Sequence, residues 1–329
     1  MDSKVIFLRK KIKGENSIEE VAKKVAKATG ATIKECPYHS TSLKGIIGNI
    51  FFARKECGLI NHIIAPTEAY LLPFIRNKKI ITYHDLGTLY SSRNKIYKLL
   101  KVIFYIKPAE FFSDEVTFVS EFTKNDFIRQ IWRKKLSTRV IYNSYDVRLI
   151  PNDKSMDEDI PIILHIGTAK RKNFDSVIEA CDGLRVKLLV IGNLSEAQKE
   201  LLKKYRIDYE NYYDVDYDFI VTSYNRATLV TFPSSYEGFG IPIVEANAMG
   251  KVVISTDLPV IKEIGGNAVY YIKAPTVEQI RLAIETLLNN KSLRKEYEHR
   301  GLENCRRYKN EVIYEQYRNL YDSLTYEQQ

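Results

Sequence analysis

The residues best suited to chemistry lie between Thr231 and Met249, where the chain reads TFPSSYEGFGIPIVEANAM. Glu237 and Glu245 flank a turn in which Gly238 and Gly240 surround Phe239, so the backbone there is free to take positive φ or to approach a ligand closely. Pro242 suits the first turn of a helix, because its missing N–H has no partner there in any case. The N–H groups of Ile243 and Val244 are then expected to point out of the helix start and offer a phosphate site. Two carboxylates around such a cradle fit a ligand with phosphate in the middle and hydroxyls at each end, that is, a nucleotide sugar. The alternative is an ordinary strand–turn–helix connection, with Glu237 solvated and Glu245 favoured near a helix start by its charge.

Three other stretches carry candidate chemistry. After an apolar strand, Ile162 to Ile166, the loop Gly167-Thr168-Ala169-Lys170-Arg171-Lys172-Asn173 places three consecutive cations where a diphosphate could be stabilised as negative charge builds on it. His84-Asp85 ends the strand Ile80 to Tyr83, the position at which open α/β sheets hold ligands, although a structural histidine also fits. Lys10 to Asn16, with Gly14 its one glycine, follows the first strand; a ligand contact and a plain basic surface loop are both open, and no Gly-x-Gly-x-x-Gly is present. Asp214-Val215-Asp216 and Asp216-Tyr217-Asp218 match the Asp-x-Asp form that holds a divalent metal. The spacing makes Asp216 the cap of a helix running to Tyr224 instead, and no metal site is expected.

Taken whole, Pro233-Ser234, Glu237-Gly238-Phe239-Gly240, Pro242 and Glu245 resemble the Glu–seven residues–Glu signature of family-4 retaining glycosyltransferases of the GT-B fold, also called glycosyl transferases group 1. Thr82-Tyr83-His84-Asp85-Leu86 and Val119-Ser120-Glu121-Phe122-Thr123 resemble further segments of that family. The resemblance implies an α/β protein with two Rossmann-like domains facing across a cleft and a C-terminal helix returning to the N-domain. It implies transfer of a sugar from a nucleotide-sugar donor to a saccharide or lipid-linked acceptor, with retention, in cell-surface polysaccharide or lipopolysaccharide biosynthesis. Glu237, His84 and Lys172 would be catalytic. Arg171, Lys172, Gly238, Phe239, Gly240, Ile243, Val244, Glu245 and Gly14 would bind the donor, Glu245 through its ribose. No metal or other cofactor is implied. Lys172 aligns with the family's diphosphate lysine, but Thr168 stands where the family's arginine follows the glycine; either Arg171 replaces that contact or it is missing. An epimerase or hydrolase of nucleotide sugars and a silent nucleotide-sugar-binding subunit are the alternatives.

The elements that must position these residues alternate. Strand–helix pairs from Lys4 onward argue for parallel sheets covered on both faces, and 329 residues suit two domains. The expected division is 1–150 for an acceptor domain, rejoined by a helix at about 311–329, and 151–310 for a donor domain. Ser17 and Glu20 form a capping box, Ser120 caps a helix running to Trp132, and Leu258-Pro259 is read as a turn. Glu237 and Lys172 are expected on exposed loops. Four scattered cysteines, Cys36, Cys57, Cys181 and Cys305, read as reduced thiols, and no apolar run reaches the length of a membrane span, so a cytoplasmic protein is expected. The net charge of +9 favours anionic partners, but no nucleic-acid motif accompanies it. Asn94 to Phe112 reads as one helix with an apolar stripe and four lysines, Lys95, Lys98, Lys101 and Lys107. It either packs on its sheet or, with Arg133-Lys134-Lys135, lies peripherally on an anionic inner membrane face.

Overall fold

A computed structural model describes residues 4–11, 17–90, 94–132, 135–151 and 159–326. Gly14, Arg133, Lys134 and the Ser17 side chain lie outside that set. The chain divides into two compact units, one made of residues 1–143 and 311–329, the other of residues 144–310.

In the first unit the strands β1 (Lys4–Leu8), β2 (Thr32–Glu35), β3 (Ile60–Ile63), β4 (Lys78–Tyr83), β5 (Glu115–Phe118) and β6 (Thr138–Val140) form a parallel sheet in the order β2-β1-β3-β4-β5-β6. Fully buried apolar runs such as Val5-Ile6-Phe7 need cover on both faces, as parallel sheets do. One face packs Phe7, Ile63, Ile81, Tyr83 and Phe118 against Ala53, Ala69 and Phe127. The other packs Ile6, Ile60 and Ile80 against Val21 and Val25 and against Ile313, Tyr317, Leu320, Tyr321 and Leu324 of the helix Asn310–Tyr326. His62 joins that helix to the sheet, with Nδ1 at 2.9 Å from the Tyr321 hydroxyl and Nε2 at 2.6 Å from Thr82 Oγ1.

The second unit repeats the plan with β7 (Ile162–Ile166), β8 (Lys187–Ile191), β9 (Asp208–Tyr212), β10 (Leu229–Phe232), β11 (Val252–Thr256) and β12 (Val269–Ile272), all parallel, in the order β12-β11-β10-β7-β8-β9. Strand order reverses between β7 and β10, which pair directly with His165 opposite Thr231. The loops leaving their carboxyl ends are therefore neighbours, at the point where open α/β sheets bind ligands.

Three local expectations are corrected. The run Asn94 to Phe112 is not one α-helix: helix Lys95–Lys101 passes into a π-helical turn, Val102–Ile106, and then helix Lys107–Phe112. Pro108 is the cause, since it brings no N–H and its ring crowds the carbonyl one turn back; the Lys107 N–H bonds to the Val102 carbonyl instead. The Ser120 helix stops at Ile128, short of Trp132, although Ser120 does cap it by accepting from the Thr123 N–H at 3.1 Å. Leu258-Pro259 opens a helix, Pro259–Gly265, with proline in its first turn.

Candidate functional site

The site grows from the two adjacent loops of the second unit. Gly167 leaves β7 at φ +90°, a conformation that favours glycine. Lys170–Lys172 form a single 3₁₀ turn, and Asn173 closes it in the left-handed region, at φ 53°. From there Asn173 Nδ2 donates to the Pro233 carbonyl and to Ser235 Oγ, each at 2.7 Å. The Ser235 N–H in turn donates to the Arg171 carbonyl at 2.8 Å. These bonds tie the cation loop to the turn carrying Glu237.

The consequence is an ion cluster on one oxygen. Lys172 Nζ lies 2.6 Å and Arg171 Nη1 2.9 Å from Glu237 Oε1. The expectation that Glu237 and Lys172 lie on exposed loops is wrong for both: Glu237 is only 8% exposed and the Lys172 side chain 12%, while the neighbouring Arg171 is half exposed at 50%. Lys172 also stands over the Phe232 ring, 4.1 Å from its centre. Burial lowers the Lys172 pKa, and the Glu237 carboxylate opposes that shift. An ammonium that burial disfavours is stabilised further by a second anion. Two cations against one carboxylate leave the cluster at +1, the charge balance an incoming phosphate needs.

Behind the cluster, His165 is completely buried, with Nδ1 3.0 Å from Thr231 Oγ1. Burial first, and the nearby Lys172 second, push its pKa down to about 3, so it is neutral at physiological pH. Thr168, at the place of the family's arginine, is engaged elsewhere: its hydroxyl donates to the Asn193 carbonyl at 2.5 Å, and its own carbonyl accepts from Gln198 at 3.0 Å.

At the other loop, Gly240 caps the helix Ile241–Ala248 at φ 103°, where a Cβ would press on Ile243 and Ile261 at 3.3 Å. The expectation that the Ile243 N–H points outward is corrected, for it donates to the Gly240 carbonyl at 2.9 Å and closes the first turn. The side chains of Ile243 and Val244 are core residues. Phe239 is too: it meets Tyr308 edge-on at 5.7 Å. Gly238 is buried beside it. Glu245 is 7% exposed and receives two hydroxyls the sequence reading did not foresee, Tyr217 at 2.5 Å on Oε1 and Tyr224 at 3.0 Å on Oε2. Their seven-residue spacing on one helix was the available signal, since it puts both on one face. Asp216 caps that helix by accepting from the Phe219 N–H at 2.8 Å.

In the first unit His84 ends β4, its Nε2 2.8 Å from the Ile64 carbonyl, and burial lowers its pKa. Glu237, Arg171, Lys172 and Glu245 belong to the second unit. Among the described residues no group of three His, Cys, Asp or Glu side chains could hold a metal, and no helix is long and apolar enough to cross a membrane. The four cysteines are free and buried.

Comparison with known proteins agrees on the fold and on a family. Residues 146–303 match the family model for glycosyl transferases group 1. The O-antigen chain mannosyltransferase RfbU of Salmonella typhimurium is 27% identical over 241 residues, which cover 69% of this chain and 65% of that protein. Among solved structures, sucrose-phosphate synthase from Thermosynechococcus elongatus superposes with a TM-score of 0.81 at 17% identity, covering 98% of this chain and 99% of the other. Anabaena HepE, solved with UDP and glucose, gives 0.79 at 15% identity and covers 98% and 99%. Two parallel six-stranded sheets with this likeness define the GT-B fold.

Proposed function

We propose that the chain, whose residues 146–303 match the model for glycosyl transferases group 1, is a retaining, metal-independent transferase that moves a sugar from a nucleotide-sugar donor onto a saccharide or lipid-linked acceptor of a surface polysaccharide. The observation that carries this reading is the cluster that the buried Lys172 and Glu237 form with the half-exposed Arg171 at the carboxyl ends of β7 and β10. In this reading the donor's diphosphate takes up Lys172 and Arg171, which stabilise the charge that builds as the bond from phosphate oxygen to sugar breaks. Glu237, relieved of part of its ion pairing, turns to the hydroxyls of the sugar. The acceptor hydroxyl attacks the face the diphosphate leaves, and its proton passes to the departing phosphate oxygen. Glu245 takes the ribose hydroxyls, and His84 is a further catalytic residue in this reading. The name of the Salmonella relative favours mannose among sugars, and the Anabaena structure favours UDP among nucleotides.

The test is thermal stabilisation by UDP, GDP and their mannose and glucose conjugates, since a ligand bound only by the folded state stabilises it by RT ln(1 + [L]/Kd). One nucleotide is expected to raise Tm, and its sugar conjugate to yield an α-linked product by NMR when an acceptor glycan is added. Absence of stabilisation by every nucleotide, or a product of inverted configuration, overturns the reading.

Work at an anionic, cytoplasmic membrane surface is part of the same proposal. Ile96 is 70% exposed, Leu99 59% and Phe104 58%, and Leu100 and Ile103 lie open beside them. Lys98 and Lys101 reach over the rings of Tyr90 and Tyr105, at 5.1 and 4.5 Å. Apolar side chains flanked by cations suit the boundary between anionic headgroups and acyl chains. Lys107 is not one of these cations: it is paired with the buried Glu110 at 2.6 Å and sits 3.6 Å from the Trp132 ring centre.

A further inference from the structure

The carboxylate of Glu245 is held in a way that the family signature does not contain. Tyr217 and Tyr224 both rise from the helix Tyr217–Arg226 and each gives its hydroxyl to a different carboxylate oxygen, at 2.5 and 3.0 Å. Tyr224 is completely buried, and its hydroxyl also lies 3.3 Å from the Pro242 carbonyl. Tyr217 is only half-buried. Its ring carries the Arg148 guanidinium 4.6 Å from its centre. Arg148 is itself fixed from two sides, by Asp146 at 2.8 and 2.9 Å and by Asp218 at 2.8 Å. A chain of contacts thus runs from the trio Asp146, Arg148 and Asp218 through the Tyr217 ring to Glu245.

A carboxylate offers about four acceptor positions, and each tyrosine hydroxyl takes one of them. What the tyrosines do fix is the direction of the others. A vicinal diol needs both oxygens of one carboxylate in a set plane, and a carboxylate free to rotate loses part of each bond to ordering.

We propose that Tyr217 is a positioning residue for the nucleotide: through its bond to Glu245, and clamped by Arg148, it orients that carboxylate for a ribose diol and so selects ribonucleotides over deoxyribonucleotides. This rests on the proposed donor site, in which Glu245 takes the ribose. Tyr217 acts on the nucleotide only through Glu245.

The decisive experiment measures dissociation constants by calorimetry for UDP or GDP, whichever stabilises the wild type, and for its 2′-deoxy and 3′-deoxy forms, with Tyr217→Phe and Arg148→Ala. Tyr217→Phe is expected to weaken the ribonucleotide about tenfold and the deoxy forms by less than twofold, because the lost orientation matters only where both hydroxyls bind. Arg148→Ala, which removes the contacts with Asp146, Asp218 and the Tyr217 ring, is expected to give a smaller loss of the same ribose-only pattern, and it serves as well where Tyr217→Phe folds poorly. Equal weakening of ribo and deoxy forms makes the tyrosine a support of the fold and overturns the inference while leaving the donor site standing. No change with either form overturns it likewise. A wild type that binds no nucleoside diphosphate brings down the donor site itself, and this inference with it.

Discussion

Glu237→Gln and Lys172→Met are expected to move nucleoside diphosphate affinity in opposite directions, although both residues belong to one ion cluster. In the wild type two cations meet one carboxylate oxygen, at 2.6 and 2.9 Å, and the cluster carries +1. Gln keeps an acceptor oxygen for Lys172 and Arg171 but removes the negative charge, so the diphosphate meets +2 and should bind at least as tightly. Met keeps most of the length of the lysine stem but removes a cation, so the diphosphate meets a neutral cluster and loses one charge-assisted bond. Such a bond is worth about 1.5–3 kcal/mol, roughly 10–100-fold in Kd. Stability should separate the variants the other way. Glu237→Gln leaves Lys172, 12% exposed, without its counter-charge, and one-sided removal from a buried pair costs about 3–5 kcal/mol. Lys172→Met leaves Glu237 with the half-exposed Arg171 and should cost less. Sugar transfer should fall roughly 10²–10³-fold in Glu237→Gln despite its unimpaired nucleotide binding. Calorimetry, thermal melts and a labelled-sugar assay read the three quantities. Weaker diphosphate binding by Glu237→Gln, or its turnover within tenfold of wild type, refutes the reasoning.

Activity should be unchanged in EDTA and unaffected by added Mg²⁺ or Mn²⁺, because Lys172 and Arg171 supply the positive charge; loss on chelation and rescue by a divalent ion would contradict this. Acid should destabilise the fold before carboxylates titrate: burial holds His62 and His165 at about 3, against 6.5 in the unfolded chain, so the unfolded state binds more protons between those values and stability falls as pH drops below 6.5. Each contributes at most about 1.4 kcal/mol per pH unit in that window, and a urea midpoint that is flat from pH 7 to 5 would contradict the sign. Vesicles rich in anionic lipid should co-sediment the protein at low salt and release it at high salt, with binding reduced several-fold by Phe104→Ser. Sedimentation that ignores lipid charge would leave 94–112 an ordinary surface segment.

The sequence makes some parts of this molecule plain and hides others for identifiable reasons. Glu237, Lys172 and Arg171 are marked by type and by their place after strands, but their burial is not, because it comes from Asn173 and Ser235 stitching the two loops together. Short continuous apolar runs reveal both sheets, since strands buried on both faces are apolar throughout. The π-helical turn at 102–106 stays hidden behind a helical stripe that a single proline disrupts. Tyr217 and Tyr224 are lost among 23 tyrosines, most of which line cores or surfaces, and only the pairing of their helix with the one bearing Glu245 singles them out.

The helix Asn310–Tyr326 sets the order in which the chain can mature. Residues 144–310 form a continuous unit that can fold as soon as its last strand and helices leave the ribosome. The first unit cannot: Ile6, Ile60 and Ile80 wait for Ile313, Leu320 and Leu324, and His62 waits for Tyr321. During synthesis one face of the first sheet therefore stays uncovered until the second unit has been made. The delay costs little entropy, because closure grows only as about (3/2)RT ln n and a folded insert shortens the effective loop. It does mean that a chain ending near residue 310 would hold a complete second unit joined to a first unit whose sheet lacks the cover that Ile313, Leu320 and Leu324 supply.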